Sequence, residues 1–480
     1  MPFPILGGKS IVTAAGFNVA NSCSFNKADV PYLHKTLGAG NRKTWTYSLW
    51  VKRALLGVNQ YFTPNQADAA NADAMGGSFD TADKLDVWDY TGGALAAQIK
   101  TNRLFRDVGA WYHIVIAADT TDSTENNRFR LYVNGVEERG VGGYDRDNMP
   151  AEDFEFDLNQ DGEELYIGTY YTSSAGTSQY GGYMAEVCFI DGTAYAASDF
   201  GEFNEDSPTI WQPKDPSDLT FGTNGFYLDF QDSANLGNDA NGGTDLTEVA
   251  LAAVDQRTDT PTLNYPTLNP SIGVLSNLTI SEGNLNMVSG DANYRSLPAT
   301  MGATAGKWYA EFKAVSGFDS TDKNAGIYGA DNTFVATTGL GNFTTGTTWS
   351  YGATGNVRTN NGNNDTGEAT FTDGDIIQVA MDLDNLKLYF GKNNTWINSG
   401  DPESGATGTG AYTIVAGDFY HFAVTSISSG GAALWSCNFG SPSYANSSDA
   451  ADADGSGAFE YAPPSGYFAM NSKNLGAYGG

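Results

Sequence analysis

The sequence predicts an all-β protein, two antiparallel β-sandwiches of jelly-roll type joined by a Pro-rich linker. Three observations carry this reading. Apolar and polar residues alternate with period two in segment after segment, and helical periodicity is nearly absent. Gly is abundant at 58 residues and Phe, Tyr and Trp make up 13% of the chain, which suits short strands and tight turns and argues against disorder. At 480 residues the chain is too long for one core, and Pro261, Pro266 and Pro270 interrupt the strand pattern near its middle.

Taken in order, "TWTYSLWVKR" places Trp45, Tyr47, Leu49 and Val51 on one face. "WYHIVIAAD" is apolar on both faces at Tyr112, Ile114, Val115 and Ile116, as a central sandwich strand is. "RFRLYVNGVEE" points Phe129, Leu131 and Val133 inward and then turns at Asn134-Gly135, a pair that tolerates positive φ. "YMAEVCFIDG" is a further strand ending in an Asp-Gly turn. The seam "DQRTDTPTLNYPTLNPSIG" reads as an extended, semi-rigid linker. After it, "GKWYAEFKAV" alternates Trp308, Ala310 and Phe312, and "DIIQVAMDLDNLKLYFGKNNTW" is a hairpin turning at Asp384-Asn385. "HFAVTSISSGGAALWSCNFG" adds one or two strands. The expected division is an N-terminal arm and first strand over 1–39, a sandwich over 40–254, the linker over 255–280 and a second sandwich over 281–480.

Charge narrows the partners. Lys and Arg total 25 against 56 acids, a net charge of -31, which disfavours a phosphate-backbone partner, and no nucleic acid is expected. Cys23, Cys188 and Cys437 are too few and too widely spaced for a disulfide framework, and are expected as buried or half-buried free thiols. No apolar run approaches membrane-spanning length, and "MPFPILGGKS" has no charged leader region. The expectation is folding in a reducing cytoplasm and, if the protein works outside a cell, exit by lysis or on a particle. There is no heptad, Gly-x-y or solenoid repeat from which to build a long shaft.

The strand order is also familiar. Residues 40–230 resemble the concanavalin A-like, laminin G-type jelly rolls of structural proteins in tailed, especially marine, bacteriophages, through "NRKTWTYSLWVKR", "TNRLFRDVGAWYHIVIAADTT", "NRFRLYVNGVE" and "YGGYMAEVCFIDGTAYAASDFGE". Residues 281–475 resemble the SPRY-type sandwich that often follows, through "GKWYAEF", "GDIIQVAMDLDNLKLYFGKNNTW" and "FEYAPPSGYFAMNSKNL". The resemblance implies a non-enzymatic virion protein on the particle exterior, a tail appendage or capsid decoration. Its implied partners are other capsid or tail proteins and a host-surface glycan, with homo-oligomeric assembly expected. The alternatives are a connector touching only virion proteins, and, further off, a polysaccharide depolymerase.

The residues themselves offer little catalytic chemistry. Glucanases of the concanavalin A-like fold carry E-x-D-x-x-E on one strand, with two carboxylates about 5 Å apart for retaining chemistry. Here the pattern runs Glu155, Asp157, Gln160, and an amide cannot serve as the acid. His34, His113 and His421 lie in no ligand spacing, and His113 and His421 sit in strand patterns as packed, hydrogen-bonded side chains.

Two loops have binding composition. "GTYYTSSAGTSQYGGY" sets Tyr170, Tyr171 and Tyr180 among small hydroxyls, a mixture that stacks on and hydrogen-bonds to sugars but also fits tyrosines packed under a long connection. "WSYGATGNVRTNNGNNDTGE" clusters Asn360, Asn361, Asn363 and Asn364, amides that suit sugar hydroxyls and plain turns alike.

"DFEFDLNQDGEELYIG" opens like a calcium loop with Asp157, Asn159, Asp161 and Gly162. Up to Leu158 it reads as a strand with acids out and Phe154, Phe156 and Leu158 in, followed by a polar turn and a second strand at Leu165–Ile167. The closing Glu of an EF-hand loop is missing, since Gly168 stands there. A solvated turn is the favoured reading. No cofactor is expected unless calcium is held by Asp157, Asn159 and Asp161 with Glu163, or Glu164 in its place.

Overall fold

The computed structural model describes residues 16–63, 66–67, 73–141, 143–170, 178–272, 277–290, 292–318, 323–330, 337–344, 347–428 and 431–479. It is all-β, with two compact units, one within Ala14–Thr262 and one within Leu263–Gly480.

The first unit packs two antiparallel sheets over one core. The larger sheet runs Val136–Glu137, Phe129–Val133, Trp111–Asp119, Thr44–Arg53, Gly182–Asp191, Ser22–Phe25, Gln256–Arg257, with Phe226–Leu228 also paired to Gly182–Asp191. The second runs Tyr144–Asn148, Ala94–Thr101, Leu85–Thr91, Ala74–Phe79, Gln60–Tyr61, with Gln66–Ala67 paired to Ala74–Phe79. Trp45, Tyr47, Leu49, Val51, Ile114 and Ile116 from one sheet meet Leu85, Val87 and Ile99 from the other, all buried. The predicted alternation therefore points the expected faces inward. Asn134 and Gly135 take φ of 49° and 76°, the mirror-image turn that Asn-Gly favours.

The second unit repeats the plan. One sheet centres on Lys307–Ser316 and the hairpin Ile376–Asp382 / Lys387–Lys392, with a short parallel strand, Phe468–Ala469, added to the first. The other runs Arg295–Ala303, Tyr420–Ser426, Asn324–Gly329, Thr348–Gly352, Asn356–Thr359, Gly362–Thr366. Phe312, Val379, Met381 and Phe390 pack against Ile327, Tyr351 and Phe422. The stretch from His421 supplies two strands, and they fall in different sheets: Tyr420–Ser426 and Leu434–Asn438.

The stretch 255–280, expected as an extended linker, has packed residues on both sides of the boundary, and its residues 273–276 lie outside the described residues. Before it, Gln256–Arg257 pairs with Ser22–Phe25, and buried Asp259 accepts from Lys52 Nζ at 2.7 Å and Trp111 Nε1 at 3.1 Å. After it, Tyr265 and Leu268 are buried in the second unit, and the Tyr265 hydroxyl accepts from Gly457 N at 2.9 Å. Prolines suppress long strands here but do not keep the chain off either core.

A second difference concerns residues 153–158, which form no strand. Phe156 and Leu158 do enter the core, as alternation required. The acids do not all face solvent, because Arg42 draws the segment in. Its Nε donates to Phe156 O at 2.7 Å and its Nη2 to Asp157 Oδ1 at 2.8 Å, leaving Asp157 buried. The following strand, Glu164–Ile167, pairs with Tyr32–Thr36 as an outer ribbon with Thr247–Val249.

Candidate functional site

In the strand Leu85–Thr91, Leu85 and Val87 go to the core. Period two sends Asp86, Trp88 and Tyr90 to the opposite, outer face of the six-stranded sheet. Trp88 stands opposite Gly76 on one neighbour and Gln98 on the other, so the residue directly opposed on one flank brings no side chain. Tyr61 enters from the next strand, with its centroid 6.4 Å from Trp88 at 84°. Tyr170 follows the outer strand Glu164–Ile167 after a turn at Gly168, whose φ is 90°. It lies 4.8 Å from Tyr61 and 5.8 Å from Trp88. Tyr90 is 5.4 Å from Trp88 at 72° and 38% exposed.

Four half-exposed to exposed rings thus form one continuous surface. Its border is polar: Asp86 accepts from Gln98 Nε2 at 2.7 Å and pairs with Lys100 Nζ at 3.3 Å, and Lys100 also holds Asp80 at 2.6 Å. Burial opposes ionisation of Asp80, yet Lys100 and two backbone N–H groups, of Lys84 and Ala82, hold its carboxyl below the usual range. Burial, then the fields of Tyr170, Asp86 and Tyr90, push the Tyr61 phenol up to about 12, so it stays a neutral donor. Chemically this is a platform for a ligand with one apolar face and an edge of hydroxyls. The negative ring faces attract polarised C–H groups, and the bordering amide, carboxylates and ammonium take the hydroxyls.

Of the residues singled out from sequence, Tyr170 belongs to this surface. Tyr180 does not. It is buried against Phe25, and its hydroxyl donates to Lys52 O at 2.9 Å. Tyr171 lies outside the described residues. Asn360, Asn361, Asn363 and Asn364 are exposed in the second unit. The first two form a hairpin turn at φ 50° and 57°, and the others lie on Gly362–Thr366. The platform residues Tyr61, Trp88 and Tyr90 were missed, although "KLDVWDYT" carries the signal: large aromatics on the parity that should be polar.

The four residues considered for calcium do not share one donor set. Asp157 accepts from Arg42 and from Thr91 Oγ1 at 3.0 Å, and its N–H donates to Asp89 Oδ2 at 2.7 Å. Asn159 is fully buried in a separate network, donating to Asp191 Oδ1 at 2.7 Å and accepting from Asn224 Nδ2 at 2.6 Å. Asp161 is exposed and Glu163 half-buried. Among the described residues no group of three His, Cys, Asp or Glu is placed to hold a metal. Burial, with the Asp157 charge, pushes the Asp89 carboxyl up to about 7; Asp157 N–H occupies one of its oxygens, and the other lies 3.2 Å from Thr91 Oγ1.

His113 and His421 are buried, and burial depresses them to about 3 and about 4. Trp211 Nε1 donates to His113 Nδ1 at 2.9 Å, so Nε2 carries the proton and donates to Ser48 Oγ, also at 2.9 Å. A base for Ser48 would need the opposite tautomer. The three cysteines are free and buried, as expected.

Residues 28–197 match the concanavalin A-like lectin/glucanases superfamily. The match spans all four platform rings. No curated protein matches the chain. Solved structures with some likeness include the SPRY domain of human HERC1, at 19% identity and TM-score 0.28, covering 35% of this chain and 96% of that one. A putative carbohydrate binding protein from Bacteroides ovatus is 19% identical at TM-score 0.32, covering 48% and 58%. Mouse laminin alpha1 domains LG4-5 are 10% identical at TM-score 0.28, covering 87% and 85%. None of these likenesses says what this chain binds.

Proposed function

We propose that the protein is a non-enzymatic glycan-binding protein that engages a carbohydrate on the Tyr61–Trp88–Tyr90–Tyr170 platform. The observation that carries this is the merging of four aromatic rings on an outward sheet face, with a hydrogen-bonding border, within the lectin-like segment. Apolar rings on a solvent-facing sheet surface cost solubility unless a ligand covers them. The proposal extends to a bacteriophage virion, with the protein on the particle exterior as an appendage or capsid decoration beside other capsid or tail proteins. The support for that part is the sequence resemblance alone. Homo-oligomeric display would raise a weak single-site affinity by avidity. Among the described residues no helix is long and apolar enough to cross a membrane.

A glycan array probed with the full chain, clustered on beads, tests the binding. Retention on a subset of glycans, lost in Trp88→Ala, is the expected result. A blank array and no binding to host cells would remove the adhesion role, and sugar release from host capsule would restore the depolymerase.

A further inference from the structure

The opposite face of the first unit carries a second, chemically different recess. On the outer side of the larger sheet, Trp50, Trp111 and Trp211 wall a groove of about 270 Å³ that Phe203 and Val136 extend to the surface. The floor is rigid. His113 stacks on Trp50 at 4.8 Å and on Trp211 at 5.9 Å, and it accepts the Trp211 indole N–H. The Trp211 ring is also clamped between Gly135 and Gly201, where any Cβ would strike the indole. The rim is apolar: Phe203 is 44% and Val136 42% exposed. Leu104 and Ile210, next in the chain to lining residues, are exposed as well. Phe203 and Val136, both in the lining, are two of the nine large apolar side chains exposed among the described residues.

Arg103 is the charged residue of the lining, in a chain of net charge -31. Its Nη2 is held by the buried carboxylate of Glu138, its plane lies 4.8 Å over Phe105, and the side chain is 40% exposed. A guanidinium fixed along one edge presents the other for a planar anion.

We propose that this groove anchors a partner polypeptide through one large apolar side chain flanked by a carboxylate, the side chain entering between the tryptophans and the carboxylate pairing with Arg103. The rim favours a polypeptide over a free small molecule. Exposed apolar residues ring the recess, as they ring the anchor pockets of protein interfaces. The groove shares no residue with the aromatic platform on the other sheet.

The probes are capped, biotinylated peptides containing Phe-Asp or Asp-Phe, with controls in which Asn or Lys replaces Asp, or Ala replaces Phe, loaded densely on a streptavidin sensor. The full chain should be retained by at least one acidic aromatic peptide about tenfold above every control. Phe203→Asp, an exposed change, should abolish retention. The double variant Arg103→Gln/Glu138→Gln, which leaves no buried charge unpaired, should lower it to the Asn-peptide level. Trp88→Ala should leave it unchanged. Equal retention of all peptides, or full retention by Phe203→Asp, would overturn the proposal. So would a concentration-dependent dimer lost in Phe203→Asp, because a second copy would then fill the groove.

Discussion

Tyr170 rests its ring against Tyr61, centroids 4.8 Å apart and planes 32° apart, which joins a residue beyond the outer strand to the face of the six-stranded sheet. The contact turns two separate tyrosines into part of one surface. Tyr170→Ala should weaken glycan binding by about 1–1.5 kcal/mol, roughly tenfold, through the lost ring face. Titration of the array's best oligosaccharide against both proteins measures it.

Arg42 holds the acidic segment by pairing with Asp157 at 2.8 Å, and Asp157 is buried. Arg42→Ala leaves that carboxylate uncompensated and should cost about 3 kcal/mol. Arg42 is itself partly exposed, so water recovers some of the loss. Thermal denaturation reads the effect. A melting temperature unchanged from the parent would mean that Asp157 is solvated in solution.

Three buried carboxyls set the pH dependence above neutrality. Burial pushes Glu311 and Asp89 up to about 7 and Glu186 up to about 8. Their folded values lie above the unfolded ones, so their contribution is full at low pH and is lost as pH rises through 7 and 8. His113 and His421, depressed by burial, act the other way below their unfolded value of 6.5. The window from about pH 6.5 to 8.5 therefore isolates the carboxyls, and the melting temperature should fall across it by about 4–8 °C. Glu311→Gln should flatten the second unit's share while lowering stability throughout, since Glu311 accepts from Glu460 N and Tyr461 N, both at 2.8 Å, on different oxygens.

Calcium should change little. Asp157 is committed to Arg42 and Asn159 to Asp191 and Asn224. The melting temperature in millimolar calcium and in chelator should agree within about 1 °C, because binding only to the folded state would raise it by mass action. A larger shift that disappears in Asp161→Asn would place a cation at the turn.

Much of the fold was legible because period two is a local signal. Trp45 to Val51 and Trp308 to Phe312 point inward as their spacing required. The site was less legible because its rings come from three segments whose meeting is set by sheet register. Trp88 pairs with Gly76 and Gln98, and nothing in its own segment reveals that Tyr61 and Tyr170 converge on it. Tyr180 has the same local composition as Tyr170, but hydrogen bonds to Lys52 O and Tyr183 O take its hydroxyl inside. The acidic stretch misled for a similar reason: its alternation was real at Phe156 and Leu158, while a distant arginine decided where Asp157 went.

The most direct test is fluorine NMR of the chain labelled with 5-fluorotryptophan, titrated with the oligosaccharide it retains best. The protein has nine tryptophans, and Trp88→Phe assigns the resonance that matters. The expected result is a saturable shift of the Trp88 signal while those of Trp50, Trp111 and Trp211 stay fixed. Saturable binding with no movement of Trp88 would contradict a glycan site on the platform.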